Sequence, residues 1–135
     1  MDTSAHVNRV INAPIEAVFA AWTQPEQLQQ WHAPEGLDVP QAVSENHVGG
    51  RRYVQMKMGD DLFDMEGTYL EYDEPNKLVY SWTDPNSIVT VEFKALNDKT
   101  EVTLIQTNVG TGGEAQDGWN RMFARFEAMI NSKEQ

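Results

Sequence analysis

The chain has 135 residues, 40% of them apolar, with four Trp, four Tyr and five Phe and no cysteine. A chain of this length buries roughly two thirds of its unfolded surface and needs neither metal nor disulfide to hold a core, so one domain over residues 1–135 is expected. Ten basic against twenty-one acidic residues leave a net charge of −11, which repels phosphate backbones and anionic lipid and sets aside nucleic acid and membrane surfaces as partners.

Without cysteine there are no disulfides, thiolate zinc sites or cysteine nucleophiles, a composition that suits a reducing cytosol. Met1 to Val10 has neither a basic start nor an apolar run, so no signal peptide is read there. Nothing approaches the roughly 18 consecutive apolar residues of a membrane span. A cytoplasmic location is therefore expected.

The first strand is expected from His6 to Ile11. Asn12 is a good N-cap and Pro14 suits a first helical turn, which predicts a helix to Trp22 with Ile15, Val18, Phe19 and Trp22 on one stripe. Thr23-Gln-Pro-Glu26 has the capping-box form and predicts a second short helix through Leu28 and Trp31, broken by Ala33-Pro-Glu-Gly36. Six strands separated by turn signals follow: Leu37 to Ser44, Arg52 to Met58, Leu62 to Tyr72, Lys77 to Thr83, Ile88 to Leu96 and Thr100 to Thr107. Asp84-Pro-Asn86 and Asn97-Asp98 are read as turns. The glycine-rich stretch Gly110 to Gly113 is read as a hinge before a long helix from about Glu114 to Ser132. On that helix Trp119, Met122, Phe123, Phe126, Met129 and Ile130 recur at steps of three and four, a single apolar stripe.

Alternation assigns the inward face of each strand. Val54, Met56 and Met58, then Phe63, Met65 and Tyr69, then Leu78, Tyr80 and Trp82 fall on it, followed by Val89, Val91 and Phe93 and by Val102, Leu104 and Gln106. A helix with a broad aromatic and methionine stripe, laid on such a sheet, leaves a hollow if the sheet is curved. Methionine fills irregular space adaptably and recurs at permissive apolar sites. The expected ligand-binding wall is Met56, Met58, Phe63, Met65, Tyr69, Trp82, Val89, Val91, Trp119, Met122, Phe123 and Phe126.

Other chemistry finds little support. His6, His32 and His47 form no metal-ligand spacing, and Asp60, Asp61, Asp64 and Glu66 lack the calcium-loop pattern. No GxSxG, phosphate loop or complete dinucleotide fingerprint occurs, so no metal and no cofactor is expected. His32, Glu66, Tyr69 and Tyr80 are the acid/base candidates, none of them established as catalytic. His32 is expected as a partly exposed cap at a helix end, and Glu66 falls on the outward parity of its strand.

Several segments together resemble a known superfamily. Ala13 to Trp22 and Gln30 to Gly36 resemble the entry of the SRPBCC (START-like, helix-grip) proteins. Gly49-Gly-Arg-Arg-Tyr53, Glu66-Gly-Thr-Tyr69, Glu74 to Trp82, Thr100 to Gln106 and Gly118-Trp119 are similar to the branch named after the activator of the heat-shock-protein-90 ATPase. Two departures stand out. Trp31 is followed by His32 where the family commonly carries a second Trp, and the large N-terminal domain of the eukaryotic activator has no counterpart here. The resemblance implies an α+β helix-grip fold: a seven-stranded antiparallel sheet wrapped round the C-terminal helix, with two short helices between the first two strands. It also implies a hydrophobic cavity, since relatives bind lipids, sterols or polyketides or act as cyclases and dehydratases. Binding of a hydrophobic or aromatic small molecule is the leading expectation. A cyclase or dehydratase activity, a chaperone partner for a stress-related co-chaperone and a homodimer remain open.

Overall fold

A computed structural model describes residues 4–33, 36–109 and 113–133. The elements are β1 (Ser4–Ile11), α1 (Ile15–Thr23), α2 (Pro25–Trp31), β2 (Asp38–Ser44), β3 (Arg51–Met58), β4 (Asp61–Asp73), β5 (Lys77–Trp82), β6 (Asp84–Leu96), β7 (Lys99–Thr107) and α3 (Glu114–Lys133). All seven strands join one antiparallel sheet in the order β1-β7-β6-β5-β4-β3-β2. This curled half-barrel, α3 and the two short helices between β1 and β2 make the α+β helix-grip architecture.

The local physics explains the elements and where their bounds differ from expectation. Asn12 does not cap α1; Pro14 holds the N-cap position with an extended backbone and no side-chain cap bond. Nor does Thr23 open a capping box. It ends α1, its hydroxyl donates back to the Phe19 carbonyl at 3.0 Å, and Gln24 is the N-cap of α2 with Pro25 in the first turn. A threonine hydroxyl that reaches its own preceding turn is no longer free to cap the next helix. β6 begins at Asp84, which pairs with Trp82 across a register shift, so the expected turn at Asp84-Pro-Asn86 belongs to the strand instead. Asn97, at φ 61, makes the tight turn between β6 and β7. Of the expected breaks, Pro34 and Glu35, and Gly110 to Gly112 of the hinge, lie outside the described residues.

The core lies between the concave face of the sheet and the stripe on α3. Trp119, Met122, Phe123, Phe126, Met129 and Ile130 of that stripe are all buried. Trp22 is the hub: its ring lies 4.7 Å from Trp31, 6.1 Å from Trp119, 5.9 Å from Phe123 and 6.2 Å from Phe126. The Trp31 indole donates to the Ala21 carbonyl at 2.9 Å, which ties α2 to α1. One close approach demands glycine. A Cβ on Gly67 would stand 1.6 Å from the Ser81 carbonyl oxygen, where β4 presses on β5.

Candidate functional site

Two neighbouring features make up the candidate site: an open cleft at one end of α3 and a buried polar cluster behind its wall. The cleft has a volume of about 500 Å³. Met56 of β3, Met65 of β4, Trp82 at the end of β5 and the following Thr83 form one side; Ala115, Gly118, Trp119 and Met122 of α3 form the other. Ser87, Gln106, Asn108, Val109 and Glu114 complete the lining. Its inner polar groups satisfy one another. The Trp119 indole donates to Gln106 Oε1 at 2.7 Å, the Gln106 amide donates to Ser87 Oγ at 2.9 Å, and that hydroxyl donates to the Thr107 carbonyl at 2.7 Å. The chain locks the Trp119 ring in place and leaves an apolar surface with a polar strip, the usual makeup of a small-molecule site. A second hollow of about 500 Å³ lies between α1 and the Tyr72–Pro75 region, bordered by Glu16, Gln24, Asn46 and Glu74. Its wall is the more polar of the two.

The residues expected at the binding wall divide into three groups. Met56, Met65, Trp82, Trp119 and Met122 line the cleft. Tyr69, Val89, Val91, Phe123 and Phe126 are buried in packed core and do not border it. Met58 and Phe63 are 49% and 45% exposed. Their parity matches Met56 and Met65, since Met56 pairs with Phe63 and Met58 with Asp61. However, the tip of the β3–β4 hairpin has no cover, and a side chain on the inner face is buried only where something lies over it.

Behind Trp82 and Trp119 the structure departs most from expectation. His32, expected as a partly exposed cap, is fully buried at the C-cap of α2. Its imidazole packs 4.9 Å from Trp31, 5.4 Å from Trp82 and 5.7 Å from Trp119. Burial, reinforced by the Arg52 charge, holds its pKa down at about 3, so it is neutral at pH 7. Arg52 is itself fully buried and was not anticipated. Its Nη1 donates to the Trp22 carbonyl at 2.7 Å and to the Tyr69 hydroxyl at 2.8 Å. The guanidinium lies over the Tyr80 ring at 4.6 Å, with Trp22 at 5.7 Å and Trp82 at 5.8 Å. Burial raises the Tyr80 phenol to about 12. An uncompensated buried charge costs several kcal/mol, and cation–π contacts return about 2 kcal/mol or more each where water is excluded. The sequence did contain a signal for Arg52: it shares the parity of Val54 and Met56, two and four residues further along β3. A charge at the start of a strand is ordinarily solvent-exposed, so the alternation was not extended to it.

Glu66, by contrast, lies outward as its parity required, paired with Arg51. Among the described residues no group of three or more His, Asp or Glu side chains is placed to hold a metal ion, and no helix is long and apolar enough to cross a membrane.

Residues 12–131 match the sequence model of the family described as activator of Hsp90 ATPase homolog 1-like protein. The chain belongs to that family. Its structure is similar to that of the AHSA1-like protein from Aeromonas hydrophila (TM-score 0.88, 24% identity, covering 98% of this chain and 94% of that one). It is also similar to a protein from Nitrosomonas europaea (TM-score 0.85, 18% identity, 97% and 96% covered) and to one from Cytophaga hutchinsonii (0.74, 29%, 97% and 95%). No curated protein matches the chain in sequence. The family membership and the shared helix-grip fold support the architecture, while function has to be argued from the site.

Proposed function

We propose that this protein reversibly binds a hydrophobic or aromatic small molecule in the cleft between the sheet and α3. The observation that carries this reading is the cleft itself: about 500 Å³ walled by two indoles and three thioethers beside a self-satisfied polar strip. That volume falls within the range of ordinary ligand pockets, and such a wall holds a flat apolar body by contact area and aromatic faces. The acid/base candidates fit catalysis poorly. A histidine held near pKa 3 is a weak base at pH 7, and a phenol raised to about 12 is a weak acid. This favours carriage over a cyclase or dehydratase reaction. The cysteine-free, acidic composition supports a cytoplasmic setting.

Gly118 provides the test. It lines the cleft from α3, and a Cβ there would meet nothing within 4 Å. Gly118→Leu therefore places a side chain in the hollow while improving helix propensity, by up to about 1 kcal/mol. Titration of aromatic metabolites, fatty acids and sterols, with Nile red as a neutral probe, should quench Trp82 and Trp119 fluorescence in the wild type and not in the variant. A negative heat-capacity change should accompany binding. Equal binding by a folded Gly118→Leu protein would remove the cleft as the site. If no compound binds below about 100 μM, roughly −5.5 kcal/mol, while a chaperone partner does bind, the co-chaperone reading replaces this one.

A further inference from the structure

Arg52 is the one buried, permanently charged side chain among the described residues, and no described carboxylate pairs with it. This happens in a chain with twenty-one acidic residues to ten basic ones. The described ion pairs, Arg9–Glu127, Arg51–Glu66, Lys77–Glu71 and Arg121–Asp117, all involve partly exposed side chains. The hydrogen bonding of the guanidinium is lopsided. Nη1 is committed to the Trp22 carbonyl and the Tyr69 hydroxyl, whereas Nε and Nη2 are buried without a partner. Those two atoms carry the parallel N–H pair that grips a carboxylate in bidentate fashion. In the same aromatic nest both nitrogens of His32 and the Trp22 indole nitrogen have no partner, and the Tyr80 hydroxyl faces the guanidinium without a well-formed hydrogen bond. Buried polar groups are nearly always paired, so such a concentration around one cation calls for an absent partner.

The cleft is one side chain away. Trp82 borders it and also lies 5.8 Å from the guanidinium carbon, while His32 touches both Trp82 and Trp119. Thr83, directly after Trp82 and also on the cleft wall, sits at φ 66, a left-handed conformation that a β-branched residue adopts only under strain. We propose that the ligand of the cleft carries a single carboxylate, which reaches past Trp82 and is received by Nε and Nη2 of Arg52, with the Tyr80 hydroxyl and His32 imidazole as further partners. This rests on the cleft being a binding site. A monoanion matches one uncompensated cation in an apolar site. A doubly charged phosphate would leave a net buried charge and would also meet the repulsion of the acidic surface.

The inference is tested by calorimetric titration of the full chain with 2-naphthoate, 2-naphthamide and the neutral dye Nile red. The naphthoate should bind roughly ten- to a hundredfold more tightly than the amide, the increment expected of charge-assisted hydrogen bonds. Arg52→Met should erase that preference, so that acid and amide bind within about threefold of each other. Arg52→Gln, which keeps an amide donor at the position without the charge, takes its place if the methionine variant does not fold. Equal affinities of acid and amide in the wild type would overturn the carboxylate site and leave the cleft reading standing. A preference that survives in both variants would also overturn it. Absence of binding by all three compounds would overturn the cleft reading and this inference together.

Discussion

His32 makes acid stability a direct probe of the buried cluster. Folded, it is held at about pKa 3 by burial and by Arg52; unfolded, it returns to the ordinary 6.5. Its native form is therefore neutral, and between those two values the unfolded chain binds the extra proton. Stability is unaffected by this group above pH 6.5 and is lost progressively as the pH falls toward 3. From pH 7.5 to 5.0 the linkage amounts to about 2 kcal/mol, at about 1.4 kcal/mol per pH unit once the unfolded imidazole has titrated. Against a typical domain stability of about 5–15 kcal/mol this is a large share. His32→Phe keeps a flat ring among Trp22, Trp31, Trp82 and Trp119 and removes two nitrogens that have no hydrogen-bond partner. Urea unfolding of both proteins at pH 7.5 and 5.0, followed by tryptophan fluorescence, separates the histidine from the carboxylates, whose titration is common to both. His6 and His47 are exposed and present in both proteins. The wild type should lose about 2 kcal/mol more than the variant over this interval. Equal losses would mean that His32 is solvated in solution and that the cluster is not dry.

Three further perturbations follow from the packing. Phe126→Ala, in the fully buried nest with Trp22, Trp31 and Phe123, should cost about 3–5 kcal/mol. Met122→Ala, on a wall that already faces open space, should cost clearly less than the 2–5 kcal/mol of a packed methionine and should alter Nile red binding. Similar denaturation midpoints for the two variants, with unchanged dye binding, would place Met122 in solid core. Gly67→Ala drives a methyl group into the Ser81 carbonyl and should destabilise by about 2–4 kcal/mol through forced separation of β4 and β5. A melting temperature within 2 °C of wild type, about the size of a negligible effect, would contradict that contact.

Local patterns determined the order of elements. Alternation over Lys77 to Trp82, Ile88 to Leu96 and Thr100 to Thr107 marked strands and their inner faces, because successive side chains point to opposite sides of a pleat. The three-and-four spacing from Trp119 to Ile130 marked the helix and its buried stripe, because those steps share one helical face. Both are properties of neighbouring residues, and the buried Trp119, Phe123, Phe126, Val91 and Leu104 follow from them. Depth is different. Met56 and Met58 have the same parity, yet one is 6% exposed and the other 49%, because burial depends on what a distant segment lays over each. The same distinction applies to His32 and Arg52, which local rules assign to a helix end and a strand start, both normally wet. Only the convergence of α2, β3 and α3 on Trp22 of α1, with Tyr80 and Trp82 of β5 against Arg52 and His32, closes them off together. It leaves a neutral imidazole and a cation with a free edge in one dry nest, an arrangement set by contacts tens of residues apart in the chain and invisible to any period of two or 3.6.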